Sequence, residues 1–247
     1  MSSTKAPSHG EPSAGEMPWG MVATVAIALL AFGLGQAVAA VLLSGWLGPA
    51  ALAGPALPAH GGAVVLVVVA ANVVQTVTLV LAARVKAGSA LGYLGLDVPA
   101  RRDLLVGLAS LVALVLVADG VTLAAGRDLV PPIQIAIWRS ASAQGVLWLL
   151  WPALVIVAPI GEEILFRGFV FRGCARSDRS AVPTIVLTAF VFALLHVQYD
   201  WVGVLLIFGV GLLLGWLRWR TGSTTLVIVL HVALNLEGMI ETMILAG

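Results

Sequence analysis

Residues 18–46 read PWGMVATVAIALLAFGLGQAVAAVLLSGW, an apolar run with Trp19 and Trp46 near its two ends. The apolar core of a signal peptide is only ~7–15 residues long. A run of this length is expected to stay in the protein as a membrane-crossing helix, with room for tilt. The two indoles sit where interfacial anchors belong. Six further apolar blocks follow at 62–83, 103–125, 146–170, 181–198, 201–217 and 223–245. Each meets the ~17–25 residues that a helix needs to cross hydrocarbon. Strand-like alternation is absent, and backbone in lipid must satisfy its own hydrogen bonds, so the fold class is all-α. The expected architecture is a polytopic transmembrane helix bundle of about seven to eight spans. The uncertain piece is 131–140 (PPIQIAIWRS), too short to cross and placed along the outer surface or as a re-entrant segment.

Composition agrees. The chain has 247 residues, 60% hydrophobic and 10% charged, with a mean hydropathy of +1.07. Soluble domains are nearer 45–50% apolar and about 25% charged. The first 17 residues are polar and rich in Pro, Ser and Gly, an expected disordered tail before a bundle over 18–247. A net charge of +1 with no basic face excludes nucleic acid as a partner. A single cysteine, Cys174, excludes a disulfide framework and a Cys-rich metal site. With the N-terminus inside, eleven of the thirteen Lys and Arg residues fall on inside segments, and only Arg127 and Arg139 fall outside. The positive-inside rule therefore predicts a cytoplasmic N-terminus in the cell membrane. No internal repeat is visible, which argues against an inverted-repeat transporter.

Ionisable side chains within a span cost roughly 2.5–3.5 kcal/mol each on insertion scales, so each needs a reason. The fourth block carries Pro159 and Glu162-Glu163-Ile164-Leu165-Phe166-Arg167, the fifth Phe192 and His196, the seventh His231 and Asn235. Glu163 and Arg167 are four apart and can pair on one face, while Glu162 points about 100° away and lacks that partner. His231 and Asn235 are also four apart. Pro159 removes a backbone donor just before the carboxylates and is expected to loosen the helix there. Asp119 and Gln75 stand alone in their spans and are read as hydrogen-bonding a neighbour. Glu237 and Glu241 lie toward the outer end of the last block, where solvation is easy.

Two acids, two imidazoles and an amide from three spans suit peptide-bond hydrolysis. Glu162 would take a proton from water with His196 helping to hold it, and His231 and Asn235 would donate to the oxyanion. A second version puts one divalent metal ion, zinc first, on Glu162, His196 and His231. With no H-E-x-x-H, such a site would have to assemble between helices. Both versions stay open at this point, as does a non-enzymatic scaffold or immunity protein that keeps the fold.

Glu-Glu-x-x-x-Arg (162–167), Phe-x-x-x-His (192–196) and His-x-x-x-Asn (231–235), in this order within 155–240, resemble the CAAX protease and bacteriocin-processing family. Phe208, Gly211, Gly215 and Thr221-Gly222-Ser223 are similar to its pattern before the last motif, and Leu94-Gly95-Leu96 stands before a basic linker. The resemblance implies an intramembrane endopeptidase opening toward the cytoplasm, with membrane lipid around it. Its substrates would be peptides or proteins of the membrane, prenylated tails among them in some members. It makes Glu162 the catalytic glutamate, with His196, His231 and Asn235 completing the site and Glu163 and Arg167 supporting it. Both metal-dependent and glutamate-dependent mechanisms have been argued for the family.

Counting 1.5 Å per residue from the inner ends puts Glu162 and His231 at ~12 Å depth but His196 at ~22 Å. Either the fifth helix starts above the membrane or its boundary near 181 is misplaced.

Overall fold

A computed structural model describes residues 18–52, 59–196 and 198–246; the polar tail 1–17 lies outside the described residues. The described chain is a bundle of helices, labelled here α1 (Met21–Leu47), α2 (Gly61–Ala87), α3 (Ala90–Leu94), α4 (Arg101–Ala124), α5 (Pro132–Ala143), α6 (Leu147–Cys174), α7 (Asp178–Leu194), α8 (Trp201–Thr221) and α9 (Thr224–Ala246). Six of them, α1, α2, α4, α6, α8 and α9, are long and apolar enough to cross a membrane. The fifth expected span, 181–198, corresponds to α7, which is 17 residues long. The 131–140 stretch forms α5, which begins with Pro132 in the first turn, where the missing N–H costs nothing.

The bundle is thinly cored, as lipid-facing helices should be. On α1, Val22, Leu29, Leu30 and Val41 face outward, while Thr24, Ala28, Ala31, Gly35, Ala39 and Leu43 form a buried stripe of mostly small side chains. Small residues let α1 and α2 approach closely. A Cβ on Gly35 would lie 2.5 Å from the Ala71 carbonyl oxygen.

α6 is the central helix and the most buried. Its hydrogen-bond ladder is not regular α: Ala153–Val157 and Ile164–Val170 are π-turns on either side of an α-turn over Ala158–Glu163. Pro159 has no N–H to return to Val155, so the ladder opens there, the loosening expected at that proline.

The basic segments gather at one end. Lys86 lies 5.3 Å from the Trp19 ring, and Arg176 donates to the Trp19 carbonyl at 2.7 Å. Arg218 reaches across α6 to the Arg167 carbonyl and to Thr224 Oγ1, 2.9 Å to each. Gly95 sits under it at φ 67, where a Cβ would meet Arg218 and the Gly222 carbonyl at 2.8 Å. Both the backbone and the space therefore require glycine. At the opposite end Arg127 pairs with Asp200, whose carboxylate also caps α8 by accepting from the Val202 and Gly203 amides at 2.9 and 3.0 Å.

Candidate active site

The loosened middle of α6 presents Glu162 and Glu163 to opposite surroundings. Glu163 is fully buried, while the Glu162 side chain is 25% exposed. Glu163 Oε1 accepts from Arg167 Nη1 at 2.9 Å and from His231 Nδ1 of α9, also at 2.9 Å. The i,i+4 pairing read from spacing is thus present, with a third member 68 residues further along the chain. Arg167 is equally buried, donates to the Gly211 carbonyl at 3.0 Å, and stacks 4.9 Å from the Phe192 ring. Gly211 has no room for a side chain, because a Cβ would meet Ala189 at 2.9 Å.

Donating to a carboxylate commits the His231 proton to Nδ1, which leaves Nε2 as an acceptor. That atom faces Glu162 Oε2 at 3.8 Å. His196 stands in the turn just beyond α7, its Nδ1 donating to the Phe192 carbonyl at 2.8 Å, and its Nε2 has no partner among the described residues. Phe192 is the common wall. It is buried, 4.8 Å from the His196 ring and 5.7 Å from the His231 ring.

Glu162 and His196 line one cavity of about 270 Å³, together with Phe32 and Gln36 of α1, Asn72 and Gln75 of α2, Leu165 and Phe166 of α6, and Phe192, Leu195 and Gln198. His231 touches Glu162 from behind this wall. Asn235 is placed differently: its Nδ2 donates at 2.8 Å to the Leu154 carbonyl, inside the first π-turn of α6. Of the six polar motif residues, only Glu162 and His196 line the cavity, with Phe192 of the second motif beside them. Tyr199 packs 6.3 Å from His196. Burial, with the Glu162 carboxylate nearby, pushes its hydroxyl above the usual phenol range, so it remains a donor.

Two features of this site have no single-residue signal in the sequence. Gln75 donates to the Gly161 carbonyl at 3.0 Å, so it hydrogen-bonds a neighbour as expected, yet it also lines the cavity. Asn72 lies where any Cβ on Gly161 would stand. Gly161→Ala is therefore expected to destabilise the protein by about 1–3 kcal/mol through overpacking at the α2–α6 contact, read as a lower thermal midpoint in detergent.

Ligand atoms 2.0–2.2 Å from one zinc stand roughly 3.3–3.6 Å apart. Glu162 Oε2 and His231 Nε2 come near that spacing at 3.8 Å. His196 does not complete it. Among the described residues, the group of three whose ligand atoms lie within 4.8 Å of one another is instead Asp119, Glu237 and Glu241. The Glu162, His196 and His231 set, as arranged, does not fit a closed ion site. Asp119 is also not alone, as its span suggested. α4 and α9 bring it to Glu237 and Glu241, which are four apart on one helix face.

The helix bundle thus places a carboxylate and an imidazole on one cavity, with a second imidazole bonded behind them. Residues 144–236 match the family model described as type II CAAX prenyl endopeptidase Rce1-like. That stretch holds all three motifs, and over it the chain is similar to this CAAX protease family. No curated protein and no solved structure matches the chain.

Proposed function

We propose that the protein is an endopeptidase of the cell membrane that cuts membrane-associated peptides or proteins, lipidated ones included, with Glu162 as the base. The observation that carries this reading is the pair of free acceptors, a Glu162 carboxylate and His196 Nε2, on one small cavity. A water held between them gives a proton to Glu162 and attacks the carbonyl carbon of the scissile bond. Glu162 passes that proton across 3.8 Å to His231 Nε2, whose far nitrogen is anchored on Glu163. His231 does not line the cavity, so the imidazolium holds the proton behind Glu162 and returns it through that carboxyl. The departing amine then takes the proton as the carbon–nitrogen bond breaks.

Because the zinc ligand set does not close, no step here runs through a metal. Cleavage of a quenched peptide library in detergent is expected to persist in excess chelator. One zinc per chain, lost together with cleavage on chelation, would overturn the metal-free version.

The positive-inside rule puts the basic end, and with it the N-terminus, in the cytoplasm. The cavity lies level with the middles of α1, α2 and α6 and reaches Gln198 in the turn at the basic-poor end. It is bounded by Phe32 and Gln36 of α1 and by Phe192 and Leu195 of α7, helices that make no extended contact with each other. The gap between these helices supports sideways access from the bilayer, alongside the cytoplasmic opening that the resemblance implies.

A further inference from the structure

α1 has a mean hydropathy of 2.3 over its most apolar window, yet Gln36 stands near its midpoint. A primary amide at that depth costs free energy unless it is hydrogen-bonded. Its neighbour Gly35 belongs to the stripe that packs on α2, so Gln36, one residue around the helix, points off that contact. It is exposed, it lines the cavity with Phe32 one turn before it, and no hydrogen bond to it is found among the described residues. Packing therefore does not account for it.

The groups that share the cavity narrow what Gln36 can bind. Gln75 gives one Nε2 hydrogen to the Gly161 carbonyl at 3.0 Å, and Asn72 gives one Nδ2 hydrogen to the Val68 carbonyl at 2.9 Å. What Gln75 still offers is its carbonyl oxygen, an acceptor, and its second Nε2 hydrogen. Gln36 offers a donor and an acceptor together, the complement of a peptide group. An anion would meet an acceptor and the Glu162 carboxylate here. A lipid chain would use none of these groups.

We propose that Gln36, with the Gln75 carbonyl opposite, grips the main chain of the substrate beside the bond that Glu162 attacks. This rests on the endopeptidase reading and specifies its substrate class. A residue inside an intact helix has its N–H and C=O already bonded and gains nothing from such a grip. A stretch unwound in lipid has both groups free, at a cost of several kcal/mol per unsatisfied group. The amides supply the lost partners, so the substrate is a membrane-inserted peptide that is locally extended at the cut. Gly or Pro next to the scissile bond should favour cleavage.

The test uses the full-length protein and a quenched-fluorescent single-span peptide, picked from a library as one that the wild type cuts. Gln36→Leu keeps the size and suits the lipid-facing helix, so folding is expected to be retained. Removing the grip should raise KM about tenfold with kcat within about twofold. It should weaken binding of the same peptide to a Glu162→Gln background by a similar factor. N-methylation of successive peptide bonds around the cut should reveal one position that costs the wild type about tenfold and costs Gln36→Leu nothing more. An unchanged KM, or N-methyl penalties equal in both proteins, overturns the grip while leaving the endopeptidase intact. If the wild type cuts no peptide in the library, the endopeptidase reading falls and the grip falls with it.

Discussion

Glu162→Gln is expected to lower kcat/KM by at least about 10³-fold while leaving the thermal midpoint in detergent within a degree or two of the wild type. The amide has the shape of the carboxylate but cannot take a proton from water, and general-base contributions of this kind run to about 10²–10⁴-fold. The fold should tolerate the change, because the Glu162 side chain is partly exposed to the cavity and faces His231 Nε2 across 3.8 Å without a hydrogen bond. The buried Glu163 carries the structural load instead, through its bonds to Arg167 and His231. Cleavage measured beside a melting curve therefore separates chemistry from folding. The same variant decides against the rival class. A scaffold or immunity protein that acts by binding would keep its cellular effect with glutamine at 162, at unchanged expression, whereas a protease would lose it.

Much of this arrangement is legible in the sequence because lipid simplifies the reading. Apolar blocks of span length have one structural solution, and ionisable side chains within them stand out. Glu163 and Arg167 are legible as a pair because helical geometry alone brings positions four apart together. Helix ends are less so. α6 runs on to Cys174, four residues past the expected boundary, which moves Glu162 to about 18 Å from that end. α7 starts at Asp178 and carries His196 to about 27 Å, so the two levels stay nearly as far apart. His196 itself lies beyond α7, in a turn that periodicity would have carried on as helix. Contacts between distant segments leave no local trace. The His231–Glu163 bond spans 68 residues, and the cavity wall from Gln36, Asn72 and Gln75 comes from helices outside the matched family segment. Each of those amides is unremarkable by itself in an apolar span, and only their convergence on Glu162 gives them a role.

Arg167→Ala is expected to cost about 3–5 kcal/mol of stability, the largest effect on folding of any single change at this site. The reason is electrostatic: the guanidinium and the Glu163 carboxylate are both fully buried, so removing one leaves the other as an uncompensated charge in a low dielectric. The loss also strands the Gly211 carbonyl and opens space beside Phe192. A double replacement, Glu163→Leu with Arg167→Met, should recover most of that stability, since packed apolar side chains of similar size often replace a buried ion pair without penalty. Activity should not return with it. In the double variant His231 Nδ1 has lost the carboxylate that fixes its proton, so Nε2 is no longer held as the acceptor facing Glu162. A protein that melts near the wild-type temperature yet cleaves at least about 10²-fold more slowly would identify Glu163 as a positioning residue for His231. Recovery of both stability and cleavage would reduce the Glu163–Arg167 pair to a structural clamp and remove His231 from the proton's path.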